Sequence, residues 1–130
     1  MIYIDTSALV KLLFEEPEST GLADWLIEQY ETPKVSSDLA IVELLRTCHR
    51  VDETLVPDAR QLLEGIDLIP MSRAIIETAA SLTPCKLRSL DAIHLASALS
   101  LKEELAGFVA YDLRLCAAAA DADLPVVSPG

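Results

Sequence analysis

Short apolar runs of strand character alternate along this chain with longer segments whose apolar residues recur at helical spacing. Residues 2–4 form a β-prone run ending at Asp5. Helical patterning follows, with Asp5 or Thr6 as its cap and Pro17 as its end. A second helix is predicted over about 19–30, where Leu22, Ala23, Leu26 and Ile27 share one face. Pro33 breaks it, and residues 34–36 suit a short strand. The next helix, 36–50, is apolar from Leu39 to Leu45 except for Glu43. Residues 51–57 read as a polar turn. Pro57 then opens a helix that runs to Glu64 and closes at Gly65. A strand over 66–70 and a helix capped by Ser72 to about 82 come next.

The most apolar helix is LRSLDAIHLASALSL, residues 87–101, with Ser89 as its expected cap. From Leu90 to Leu101 it carries only Asp91 and His94 as ionisable groups, three residues apart on one face. A helix apolar all round is buried on most sides. Gly107 is taken as a stop before the late strand GFVAYD, which ends in Asp112. An alanine-rich helix and a short strand over 124–127 complete the chain. Such alternation predicts an α/β fold, a central mainly parallel sheet of short strands covered by helices on both faces. No repeat, low-complexity tract or linker divides it, so residues 1–130 are read as a single domain.

Composition narrows the function classes. With 52% hydrophobic and 24% charged residues, the chain can bury a core and is not of the disordered kind. No apolar run is long enough to span a bilayer. The first fourteen residues lack a basic leader and are interrupted by Asp5 and Lys11, so a cytoplasmic location is expected. Cys48, Cys85 and Cys116 are odd in number and in no CxxC spacing. That argues against a disulfide framework or a zinc site and suggests small buried hydrophobes. The net charge of −11, from 21 acids and 10 bases, argues against a broad basic face. It leaves room for a nucleic-acid enzyme, because a bound divalent cation reverses the local sign of an acidic pocket and a dimer can gather its bases around one groove.

The acids give the chemistry. Asp5 and Asp112 each sit where a strand gives way to a helix, the edge at which open parallel sheets bind ligands. Glu43 and Asp91 lie near the starts of mostly apolar helices. Singly, each has an ordinary explanation: Asp5, Asp91 and Asp112 as helix N-terminal acids, Glu43 as a partner of Arg46. As a set, four acids in four apolar segments suggest convergence. Two carboxylates about 5 Å apart repel by roughly 3 kcal/mol at an effective dielectric of 20, so such a cluster calls for a cation. Hard oxygen donors suit Mg²⁺ or Mn²⁺, and the chemistry that follows is attack of activated water on a phosphodiester.

DTSALVKL at Asp5, SSDLAIVELLR around Glu43, LRSLDAIHLASAL around Asp91 and FVAYDLRL at Asp112 together resemble the PIN-domain family. Within it they resemble the VapC-type ribonuclease toxins of toxin–antitoxin pairs, in order and spacing along the whole chain. The resemblance implies an α/β/α sandwich and a Mg²⁺- or Mn²⁺-dependent endoribonuclease, the toxin of a type II system, with Asp5, Glu43, Asp91 and Asp112 as catalytic metal ligands. It places Thr6 or Ser7 as hydroxyls behind Asp5, and Arg88 and His94 at the rim. It further implies an RNA substrate, a VapB-type antitoxin and a homodimer, alone or inside a toxin–antitoxin hetero-oligomer. The antitoxin would cover apolar residues of the early helices, Leu9, Leu13, Leu22 and Leu26, and point an Arg or Lys at the acids. Ala110 departs from the pattern, since many relatives have Thr or Ser there; Asp112 would lack an orienting hydroxyl.

Rival readings fit less well. A phosphoreceiver domain needs paired acids after its first strand and a late strand-end lysine, and a DxD phosphatase needs an Asp where Ser7 stands. Cys48 and His49, adjacent on a helix, point about 100° apart. The remaining alternative is a catalytically weak PIN scaffold that acts mainly by binding antitoxin and RNA.

Overall fold

The strand Ile2–Ile4 (β1) is buried at all three positions because it occupies the middle of the sheet. The computed structural model describes residues 1–130. Four further strands, Lys34–Ser37 (β2), Asp67–Ile69 (β3), Gly107–Val109 (β4) and Val126–Val127 (β5), complete a sheet ordered β3-β2-β1-β4-β5. Every pairing is parallel; Ile2, Tyr3 and Ile4 of β1 lie opposite Gly107, Phe108 and Val109 of β4.

The period-two alternation of strand side chains divides the core into two layers. Ile2, Ile4 and Val109 point to one face, where they meet Ala8, Leu9, Leu22, Ala40, Leu44, Cys48, Ala59 and Leu63. These come from the helices Thr6–Leu13 (α1), Ser19–Glu28 (α2), Leu39–Val51 (α3) and Val56–Glu64 (α4). Tyr3, Val35, Phe108 and Ala110 point to the other face, against Leu95, Ala98, Leu115, Ala118 and Ala119. Those side chains belong to Ser89–Leu99 (α6) and Leu113–Asp121 (α7), while Arg73–Ser81 (α5) packs on α6. The strand order reverses between β1 and β4, so the crevice for a ligand opens beyond their carboxyl ends. No helix is long and apolar enough to cross a membrane.

Several boundaries differ from expectation. Gly107 is the first residue of β4 rather than a stop, and α3 continues through Val51, with a 3-10 turn at Glu53–Leu55 before α4. Ser89 is not a cap. The chain turns from extended to helical at Arg88, which puts Ser89 at the first helical position, and no side chain caps that end. Leu9 and Leu22 are fully buried and so offer no face to a partner. Cys48 is buried as expected, but Cys85 is exposed.

Candidate active site

Four elements deliver the four acids to the crevice between β1 and β4. Asp5 follows β1 and caps α1: its Oδ2 accepts from the Ser7 backbone N–H (3.1 Å) and the Ser7 hydroxyl (2.6 Å). Its other oxygen, Oδ1, faces His94 Nε2 at 3.6 Å. Asp112 repeats this division of labour one strand over. Its Oδ1 accepts from the backbone N–H groups of Arg114 and Leu115, both at 3.0 Å, and its Oδ2 lies 3.3 Å from Arg88 Nη2. The ordinary explanation of both residues as caps therefore holds, and each turns its other oxygen toward the crevice, Asp5 to His94 and Asp112 to Arg88.

Glu43 projects from the second turn of α3. Its Oε1 accepts from the Thr6 hydroxyl at 2.8 Å and from His94 Nε2 at 2.6 Å. Burial opposes its ionisation, but these bonds, chiefly the one from His94, outweigh burial and hold the carboxyl below its ordinary value. Asp91, in the first turn of α6, behaves in the opposite way. Burial lifts its carboxyl, Arg88 pulls it down, and the charges of Asp5 and Asp112 help lift it again, for a net rise. That mutual repulsion is the electrostatic signature of converging acids.

His94 lies beneath the acids rather than at the rim, 1% exposed. A carboxylate can only accept, so Nε2 carries the proton toward Glu43, and in the neutral ring Nδ1 accepts from the Tyr3 hydroxyl 2.7 Å away. Burial disfavours the charged ring; the bond to Glu43 and the fields of Asp5, Glu43 and Asp91 overcome it and raise its pKa. Arg88 does sit at the rim, its side chain 70% exposed, with Nε 3.1 Å from Asp91 Oδ2. It bridges Asp91 and Asp112, and no buried polar side-chain atom anywhere lacks a partner.

The expected site residues are thus brought together, with three refinements. Ser7 serves Asp5 whereas Thr6 serves Glu43; Ser7 also accepts from the Tyr111 backbone N–H at 3.1 Å, tying α1 to the end of β4. Asp112 is held by backbone amides, so the hydroxyl that Ala110 lacks is not what fixes it. Ala110 is fully buried in the α6–α7 layer. Tyr3 escaped sequence reasoning because a tyrosine in a buried strand reads as core; its signal was only its place two residues before Asp5.

The donor chemistry suits a hard divalent cation: Asp5, Glu43, Asp91 and Asp112 are all oxygen donors, and Asp5 and Asp112 spend only one oxygen each on capping. As arranged here, no three ligand-type side chains close around a single point. The positive charge within the cluster comes from Arg88 between Asp91 and Asp112, and His94 beside Asp5 and Glu43 adds to it when its ring is protonated.

Known proteins resemble this chain in sequence and in fold. The sequence pattern of the PIN domain matches residues 2–121. Ribonuclease VapC47 of Mycobacterium tuberculosis (strain CDC 1551 / Oshkosh) is 44% identical over 133 aligned positions, covering 100% of this chain and 98% of the relative. Ribonuclease VapC46 of strain ATCC 25618 / H37Rv is 38% identical, with 98% and 97% covered. Among solved structures, a chain of a toxin-antitoxin complex from Klebsiella pneumoniae superposes with a TM-score of 0.76 at 21% identity, covering 100% of this chain and 98% of that one. A chain of FitAB bound to an IR36 DNA fragment gives 0.79 at 17%, with 99% and 95% covered. At these identities the two structures speak to the fold alone.

Proposed function

The chain belongs to the PIN-domain family, and from that premise we propose that it is an endoribonuclease toxin that hydrolyses RNA phosphodiester bonds with Mg²⁺ or Mn²⁺. The observation that carries the reading is the convergence of Asp5, Glu43, Asp91 and Asp112 from four elements on one crevice, where burial, and to a smaller extent the charges of Asp5 and Asp112, lift the Asp91 carboxyl. The full-length likeness to proteins named ribonuclease VapC supports the substrate class.

Asp5, Glu43 and Asp91 would hold the cation, with Asp112 helping directly or through water. When bound, the cation would polarise the phosphate and lower the pKa of a water. The chain's own groups prepare that site. Thr6 and His94 fix the Glu43 carboxylate, Ser7 fixes Asp5, and two backbone amides fix Asp112, so three of the four carboxylates are oriented before substrate arrives. Tyr3 and His94 fill the floor and keep it dry.

A VapB-type antitoxin and a homodimer belong to the same proposal. Exposed apolar side chains support a partner surface: Ile27 (67%) and Tyr30 (77%) at the end of α2, and Leu113 (85%) beside Asp112. Purified protein should cut labelled RNA in Mg²⁺ or Mn²⁺, cut none in EDTA, and lose activity on Asp5→Asn. RNA that is bound but intact under all of these conditions would favour the non-catalytic scaffold instead.

A further inference from the structure

We propose that the outward face of α3 is the track along which the RNA strand leaves the acids, with Arg46 and Arg50 gripping neighbouring phosphates. The inference rests on the ribonuclease reading above. A surface hollow of about 400 Å³ is lined by Arg46, His49 and Arg50 and by nothing else. All three are exposed. The chain has 21 acids to 10 bases. Lys11, Arg73 and Arg88 are each tied to a nearby acid, whereas Arg46 and Arg50, like Lys34, Arg60, Lys86, Lys102 and Arg114, enter no ion pair, and Arg46 and Arg50 share a hollow that no acid lines. His49 meets Glu53 at 3.3 Å, so the stripe fades toward the end of the helix.

Position on the helix gives the stripe its direction. Arg46 and Arg50 lie three and seven residues after Glu43, so at 100° per residue both point within about 60° of it. At 1.5 Å rise per residue they stand roughly 4.5 and 10 Å further along the axis, on the scale of consecutive phosphates in an extended strand. A polyanion leaving the crevice between β1 and β4 would otherwise cross a surface whose net charge repels it. Guanidinium groups without acid partners are what such a strand requires, since they bind phosphate in a bidentate fork. Val42, 54% exposed and one turn before Arg46, adds an apolar spot for a base.

The test is binding of a fluorescein-labelled, mixed-sequence single-stranded RNA, followed by anisotropy in EDTA across a salt series. Arg46→Gln/Arg50→Gln should raise Kd about tenfold or more and flatten the log Kd against log salt slope by about 1.4, the loss of two phosphate contacts. Arg46→Lys/Arg50→Lys should restore most of the slope, since it keeps the charge. Arg73→Gln/Lys102→Gln, which removes the same charge elsewhere, should bind as wild type. Equal weakening in both charge-removing pairs would reduce the effect to net charge and overturn the track. Unchanged RNA affinity in the α3 variant, with wild type still cutting RNA, would overturn the track and leave the ribonuclease reading standing. A variant that keeps RNA but loses poly-glutamate binding would make the face a protein contact, which also overturns it. A wild-type protein that neither binds nor cuts RNA would defeat the ribonuclease reading and the track together.

Discussion

Asp5 and Asp112 illustrate how one side chain serves both fold and chemistry. Each gives one oxygen to the first turn of a helix and turns the other toward the crevice. Asp91 has no such structural duty: its bond is to an exposed Arg88, and burial and neighbouring acids lift its carboxyl. Asp91→Asn should therefore cut activity by about a hundredfold or more. In EDTA its melting temperature should match or exceed that of wild type, because the replacement removes a carboxylate the fold disfavours. A clear drop in the melt would make Asp91 structural. Arg88 leads to a second expectation. It stands where a cation would neutralise Asp91 and Asp112, so Arg88→Ala should tighten Mn²⁺ binding measured by calorimetry, by a few-fold to about tenfold given its exposure. Weaker Mn²⁺ binding in that variant would mean that Arg88 helps build the site instead of competing for it.

At the scale of elements, Ser72 and Ser89 look alike in sequence and differ in the fold. Ser72 has extended backbone and its hydroxyl accepts from Ile75 N–H, whereas Ser89 is already helical and caps nothing. Ser72→Ala should lower stability by about 1 kcal/mol in urea unfolding, and Ser89→Ala by a few tenths at most; equal losses would contradict this account of the two helix starts. The comparison shows what was legible. Apolar periodicity and the Pro and Gly breaks were enough to find all five strands and seven helices, because the helices turn apolar faces to the sheet or, as α5 does to α6, to a neighbouring helix. Capping depends on the single residue at which φ and ψ switch, which periodicity does not encode. The four acids were legible because charge inside an apolar segment is conspicuous. The supports were not: that His94 points down to Tyr3 and Glu43, and that Thr6 and Ser7 divide between two acids, follows only from how α1, α3 and α6 cross over β1. Leu9 and Leu22 were misjudged for a related reason. Helical spacing shows that a face is apolar, but not whether the chain's own sheet or a partner covers it.

For the whole molecule, the governing fact is a charge of −11 with part of it gathered at one crevice. Two kinds of repulsion then oppose the folded state: a diffuse one over the surface, and a local one among Asp5, Asp91 and Asp112, which the charge of Arg88 opposes while burial keeps the Asp91 carboxyl raised. Simple salt acts on the first. At 0.1 M the screening length is about 10 Å, so NaCl should raise the melting temperature of wild type and of Asp5→Asn alike. A divalent cation acts on the second, and it stabilises by binding the folded state in proportion to the logarithm of its concentration over Kd. In a melt at matched ionic strength, Mn²⁺ at a hundredfold excess over Kd should stabilise wild type by about 2.7 kcal/mol. Asp5→Asn, which loses a charge from the centre of the cluster, should gain little beyond the NaCl effect. If Mn²⁺ and NaCl raise both proteins equally at matched ionic strength, the acids are not acting as a cation site, and the crevice would owe its arrangement to Arg88 and His94 alone.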